Sequence, residues 1–82
     1  MILNRKTMNF IIQIYNNGGT VTKRTQYMHA LQYYTMCWHL RDSNIIREKG
    51  LNKEGQKIWE LTEKGKKLAE LLVKVNGVLD EQ

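Results

Sequence analysis

One cysteine, Cys37, is too few for a disulfide framework, so this chain of 82 residues must fold on the packing of a single small core. A lone thiol suits a reducing cytoplasm. No apolar run approaches the ~20 residues that span a bilayer. Met1 to Lys6 lead into no signal-peptide core and cleavage site. The expectation is a soluble, cytoplasmic protein with no membrane partner. Catalytic signatures are missing too. Gly18-Gly19 is followed by no Lys-Ser/Thr pair that would make a phosphate-cradling loop. Cys37, His29 and His39 do not supply the four suitably spaced ligands of structural zinc. Nothing brings two of Glu60, Glu63 and Glu70 to a shared pocket. The chain therefore reads as no enzyme, with no metal, no cofactor and no small-molecule substrate. Cys37 is expected in the core and the two histidines partly buried.

What the chain does have is an uneven charge. Thirteen Lys and Arg against eight Asp and Glu give +5 overall. Through Lys57 there are nine basic and three acidic residues, giving +6; the remainder holds four and five, giving −1. The positive part is suited either to phosphate binding or simply to solubility.

Apolar spacing places the elements. Met8, Ile11, Ile12 and Tyr15, widened by Phe10 and Ile14, predict a helix over 4–16, capped by Asn4 and stopped by Asn16-Asn17-Gly18-Gly19. Thr20-Val21-Thr22 suits an edge strand. Thr22 is then expected to cap a second helix over 23–31, with Tyr27, Met28 and Leu31 inward. Lys23 and Arg24 at its start oppose the helix dipole, at a cost of a few tenths to about 1 kcal/mol. They also make a phosphate clamp with the free N–H groups there. A tight turn around 31–33, lacking the usual glycine, leads to a third helix over 33–43. That helix buries Tyr33, Met36, Cys37 and Leu40, and its outer side presents Tyr34, Thr35, Trp38 and Arg41.

Ile45 to Leu61 then predicts a β-hairpin with a polar tip, Trp59 and Leu61 facing the core, and Lys49, Lys53 and Lys57 around the tip. Thr62 caps a last helix over 63–79. Leu61, Gly65, Leu68, Leu72, Val75 and Leu79 form a heptad-like seam there, with Leu71 and Val78 beside it. Gly77 weakens this helix by roughly 1 kcal/mol and marks a point where it would end or kink. The distal part of the seam either pairs with a second copy or folds back on helix one.

Two stretches carry a resemblance. His39 to Ile46, HLRDSNII, has a leucine followed four residues later by Asn and two aliphatics. Ile58 to Leu72, IWELTEKGKKLAELL, has an aromatic, a Leu-Thr pair and a glycine at set spacings. In this order, with a hairpin between them, they resemble the winged helix-turn-helix domains of bacterial and archaeal transcription regulators. The resemblance covers nearly the whole chain. It implies an α+β, mostly α fold: one domain with a three-helix core, a β-hairpin wing at 45–61 and a long C-terminal helix.

It also implies sequence-specific double-stranded DNA binding by a homodimer that regulates transcription. The recognition helix would occupy the major groove and the wing the adjacent backbone or minor groove. Carried onto this chain, base-reading positions fall on Tyr34, Thr35, Trp38 and Arg41. Backbone positions fall on Thr22, Lys23, Arg24, Lys49, Asn52, Lys53, Gln56 and Lys57. Dimer contacts fall on Leu68, Leu71, Leu72, Val75, Val78 and Leu79. Trp38 departs from the usual small or basic residue and is either a contact or a core residue against the wing. Winged helices also serve as protein-interaction modules, so a domain with no DNA target of its own is the other reading.

Overall fold

The computed structural model of the protein describes residues 4–23 and 28–79. Its first helix, α1, spans Arg5–Asn16. Asn4 caps it as expected, its Oδ1 accepting from the Thr7 N–H at 2.9 Å. Phe10, Ile11 and Ile14 are buried, and Met8, Ile12 and Tyr15 pack half-buried beside the core. The helix ends where Gly18 turns to φ +81 and the Gly19 N–H donates back to the Ile14 carbonyl at 2.9 Å. That turn delivers the chain to a two-residue strand, β1, Thr20–Val21.

The next helix, α2, runs without interruption from Ala30 to Asp42. This corrects the expectation of a helix over 23–31, a turn at 31–33 and a new helix from 33. Lys23, Met28 and His29 are non-helical, and Ala30 and Leu31 already belong to α2. Residues 24–27 lie outside the described residues. No glycine or proline breaks the chain between Ala30 and Tyr33, so nothing opposes propagation of the helix through those positions. Leu31, expected inward, is 73% exposed. Thr22 accordingly caps no helix among the described residues. The inner side of α2 is as the spacing indicates: Tyr33, Cys37 and Leu40 are buried and Met36 is half-buried.

α2 ends in a Schellman motif. The Ile45 N–H donates to the Leu40 carbonyl at 2.8 Å and the Asn44 N–H to that of Arg41 at 2.9 Å. Asn44 takes the left-handed conformation, φ +61. Leu40 and Ile45, which such a motif brings together, are both buried. The hairpin follows as β2, Ile46–Leu51, and β3, Lys57–Leu61. β3 lies in the middle of an antiparallel sheet of order β1-β3-β2. Trp59 and Leu61 point into the core together with Ile46. A register shift between Glu48 and Gly50 leaves Lys49 as the extra residue of a bulge.

The last helix, α3, spans Glu63–Leu79 and continues through Gly77. The Thr62 hydroxyl accepts from the Gly65 N–H at 3.0 Å, the expected cap. The same hydroxyl donates toward the Asn44 and Ile45 carbonyls, and the Thr62 N–H donates to the Ile45 carbonyl at 3.0 Å. Lys64 Nζ donates to the Ser43 carbonyl at 3.0 Å. Gly65 sits so close that a Cβ there would lie 2.0 Å from the Ile45 oxygen. The end of α2, the start of β2 and the start of α3 are thus joined at one corner. Beyond it α3 packs on α1 through its proximal half. The buried line there is Gly65, Ala69 and Leu72.

Among the described residues the fold is therefore α+β and mostly helical, with three helices and one three-stranded antiparallel sheet. That is one helix fewer than a three-helix core followed by a C-terminal helix. Among the described residues no helix is long and apolar enough to cross a membrane.

Candidate nucleic-acid interface

The outer side of α2 carries all four expected reading residues. Tyr34 is 52% and Trp38 45% exposed, and Thr35 and Arg41 are exposed as well. Trp38 is therefore a surface residue; the indole inside the core belongs to Trp59, 2% exposed. The two outer rings stack on each other, centroids 6.2 Å apart and planes inclined by 26°. Tyr34 also meets Tyr33 edge-on at 5.5 Å, and Tyr33 meets Phe10 edge-on at 5.9 Å. A ladder of rings therefore runs from the core of α1 to the surface of α2 and fixes the rotation of α2 about its axis. Arg41 places Nη2 3.1 Å and Nε 3.2 Å from the Asp42 carboxylate, which occupies part of its donor fork.

Three separate segments converge beside Tyr34. Thr22 and Lys23 from the end of β1, Ala30, Tyr33 and Tyr34 from α2, and Gln56 from the hairpin line one cleft of about 370 Å³. The positions expected to clamp a backbone, to read bases and to form the wing thus share one side of the molecule at this point. Arg24 lies outside the described residues. Lys23 makes no ion pair among them.

Asn52 and Gln56, expected on a DNA backbone, are tied to each other at the hairpin tip. Asn52 Oδ1 accepts the N–H groups of Glu54 and Gln56, each at 2.9 Å, and Asn52 Nδ2 donates to Gln56 Oε1 at 2.9 Å. Lys57 is engaged as well, 2.9 Å from Glu48 and 5.7 Å above the Trp59 ring. Across the other face Arg47 Nε meets Glu60 Oε1 at 2.8 Å. That hydrogen bond, reinforced by the charges of Arg47, Lys49 and Lys66, holds the Glu60 carboxyl below its ordinary range. Lys53 stands exposed at the tip.

Compared with known proteins, the chain matches no family model, no curated protein and no solved structure.

The remaining candidate groups divide cleanly. Cys37 is fully buried, and burial pushes its thiol up to about 11, opposed by a contact with Tyr33. Tyr33 is raised above the ordinary tyrosine range, by burial first and then by its neighbour Cys37. His29 and His39 are exposed rather than partly buried. No three His, Cys, Asp or Glu gather into a metal-holding group among the described residues.

On α3 the expected dimer residues fall into two sets. Leu72 is buried in the protein's own core and Leu68 packs half-buried against it. Leu71, Val75, Val78 and Leu79 are exposed at 60%, 46%, 64% and 59%. Sequence reasoning also missed an open groove of about 1010 Å³ between the start of α1 and α2, whose lining includes Lys6, Leu31, Met36 and His39. Its one sequence signal is Leu31, an apolar residue the straightened helix turns outward.

Proposed function

We propose that this protein binds double-stranded DNA as a homodimer and regulates transcription, using a winged-helix-like arrangement. α2 acts as the recognition helix, and the β2–β3 hairpin acts as the wing. The observation that carries this reading is the cleft where Thr22, Lys23, Tyr34 and Gln56 meet. It gives the three expected contact segments a common side, in the part of the chain that holds the net positive charge. Lys23, Lys49 and Lys53 neutralise phosphates, while Thr35 and Arg41 meet base edges and Trp38 packs on a thymine methyl or a sugar. The exposed distal residues of α3 join two copies.

The test is a titration onto duplex DNA at several salt concentrations. Affinity should fall log–log with salt, with a slope of about −0.9 per phosphate contacted. Arg41→Ala should relax sequence preference by about 1–3 kcal/mol. Lys53→Ala should weaken all duplexes alike and make the slope about one unit shallower. Absence of binding at low salt rules the proposal out. The second reading, a protein-interaction module, is favoured by the apolar residues on the outer side of α2, Leu31 and Trp38.

A further inference from the structure

The outer side of α2 offers few hydrogen-bonding groups and much ring surface. Trp38 has one donor and no acceptor, Tyr34 and Thr35 one hydroxyl each, and the Arg41 fork is partly taken by Asp42. Base edges in a major groove are rows of donors and acceptors. Pressing such an edge against an indole leaves polar atoms dry and unpaired, at about 1–3 kcal/mol each. The π-faces of bases have no such requirement, but in a duplex they are hidden in the stack. They become available in an unpaired strand.

We propose that the Tyr34–Trp38 pair is a stacking platform for unpaired nucleobases, so that α2 binds single-stranded or locally opened nucleic acid. Four observations support it. The two rings are half exposed and already stacked at 6.2 Å, so the platform exists before a ligand arrives. The ladder through Tyr33 to Phe10 anchors it to the core, which lowers the entropy lost on binding. Backbone-binding groups lie at both ends: Thr22 and Lys23 in the cleft beside Tyr34, and Arg41 beyond Trp38. The single acid of α2, Asp42, is bound to Arg41, so no free carboxylate on this helix repels a phosphate chain. From Tyr34 to Arg41 the helix rises roughly 10 Å, room for about three base-stacking intervals of about 3.4 Å.

This inference rests on α2 being a nucleic-acid face, but not on duplex docking. Trp59 is 2% exposed, so quenching of tryptophan emission by a bound base reports on Trp38. The chain of 82 residues is titrated with an oligothymidylate of about 12 nucleotides, a base-free strand of the same length, and a duplex of that length. The expected result is quenching by the base-bearing strand, with affinity at least about tenfold above both other probes. Trp38→Ala should weaken the base-bearing strand by about 5- to 150-fold, the range of one stacked base, while Trp38→Phe retains most of the binding. Equal affinity for the base-free strand overturns the inference, because the attraction is then only electrostatic. Duplex binding as tight as single-strand binding, without quenching, overturns it while leaving the duplex reading intact. No binding of any probe at low salt overturns both.

Discussion

The two ends of α2 are held in very different ways. At the C-terminal end the Schellman motif, the left-handed Asn44, the Thr62 hydroxyl, the Lys64 ammonium and the close seat of Gly65 under the Ile45 carbonyl all act within a few residues. Nearly every orphan carbonyl of the last turn has a partner. At the N-terminal end His29 occupies the cap position without a side-chain bond, and Leu31 lies on the surface. No acid stands in the first turn to complement the helix dipole. The difference teaches that α2 is positioned from its far end. Near the cleft, Tyr33 in contact with Phe10 and Met28 packed against the core hold it.

The strongest way to break this contrast is Gly65→Ala. The added methyl has no room beneath the Ile45 oxygen, so the corner must open, with a loss of about 3 kcal/mol in denaturant unfolding. A loss under about 1 kcal/mol would show that the corner is softer than its geometry. Thr62→Ala comes next, at about 1–2 kcal/mol, because one hydroxyl caps α3 and ties it to the end of α2. Thr62→Ser should recover most of it.

At the other end the sign reverses. His29→Asp supplies the missing cap and a favourable charge at the dipole, and should raise stability by about 0.5–1 kcal/mol. If it destabilises, the N-terminal end is already better satisfied than described above. The smallest effect concerns the hairpin launched from the corner. Glu60 has a lowered carboxyl pKa in the fold, so its contribution is present above the unfolded value, about 4.3, and fades as pH falls through the folded value. Arg47→Ala should remove that part of the acid dependence of unfolding, and little else at neutral pH.

The same contrast explains what was legible beforehand. The C-terminal corner is written in local chemistry: a leucine, then Asn and two aliphatics, then a Thr three residues before a Gly. Each of these residue types is demanded by a φ, a cap or a close approach. The two stretches that carry the family resemblance are the ones that pack on each other there. The N-terminal end has no such marks. Of Tyr27, Met28 and Leu31, whose helical spacing suggested an inward side, Met28 does pack against the core, Tyr27 lies outside the described residues, and Leu31 is turned outward because a helix with no breaker continues.

On α3 the span was readable from Thr62 and the apolar repeat, while the division of its residues was not. Ala69 is fully buried, although its small side chain gives no hydrophobic signal, and it brings α3 close enough to the core to take up Leu72. In the hairpin, Asn52 and Gln56 carry ordinary tip composition, and sequence alone does not say whether such amides face a ligand or each other.

The corner at Gly65 has one more consequence. Because it leaves no play between α3 and the end of α2, the two helices turn as one piece, like the arms of a set square. In the proposed dimer, the separation and tilt of the two recognition helices are then dictated by how the distal ends of α3 cross. The half-site spacing, about 34 Å for successive major grooves, becomes a property of Val75, Val78 and Leu79, residues that never touch a base.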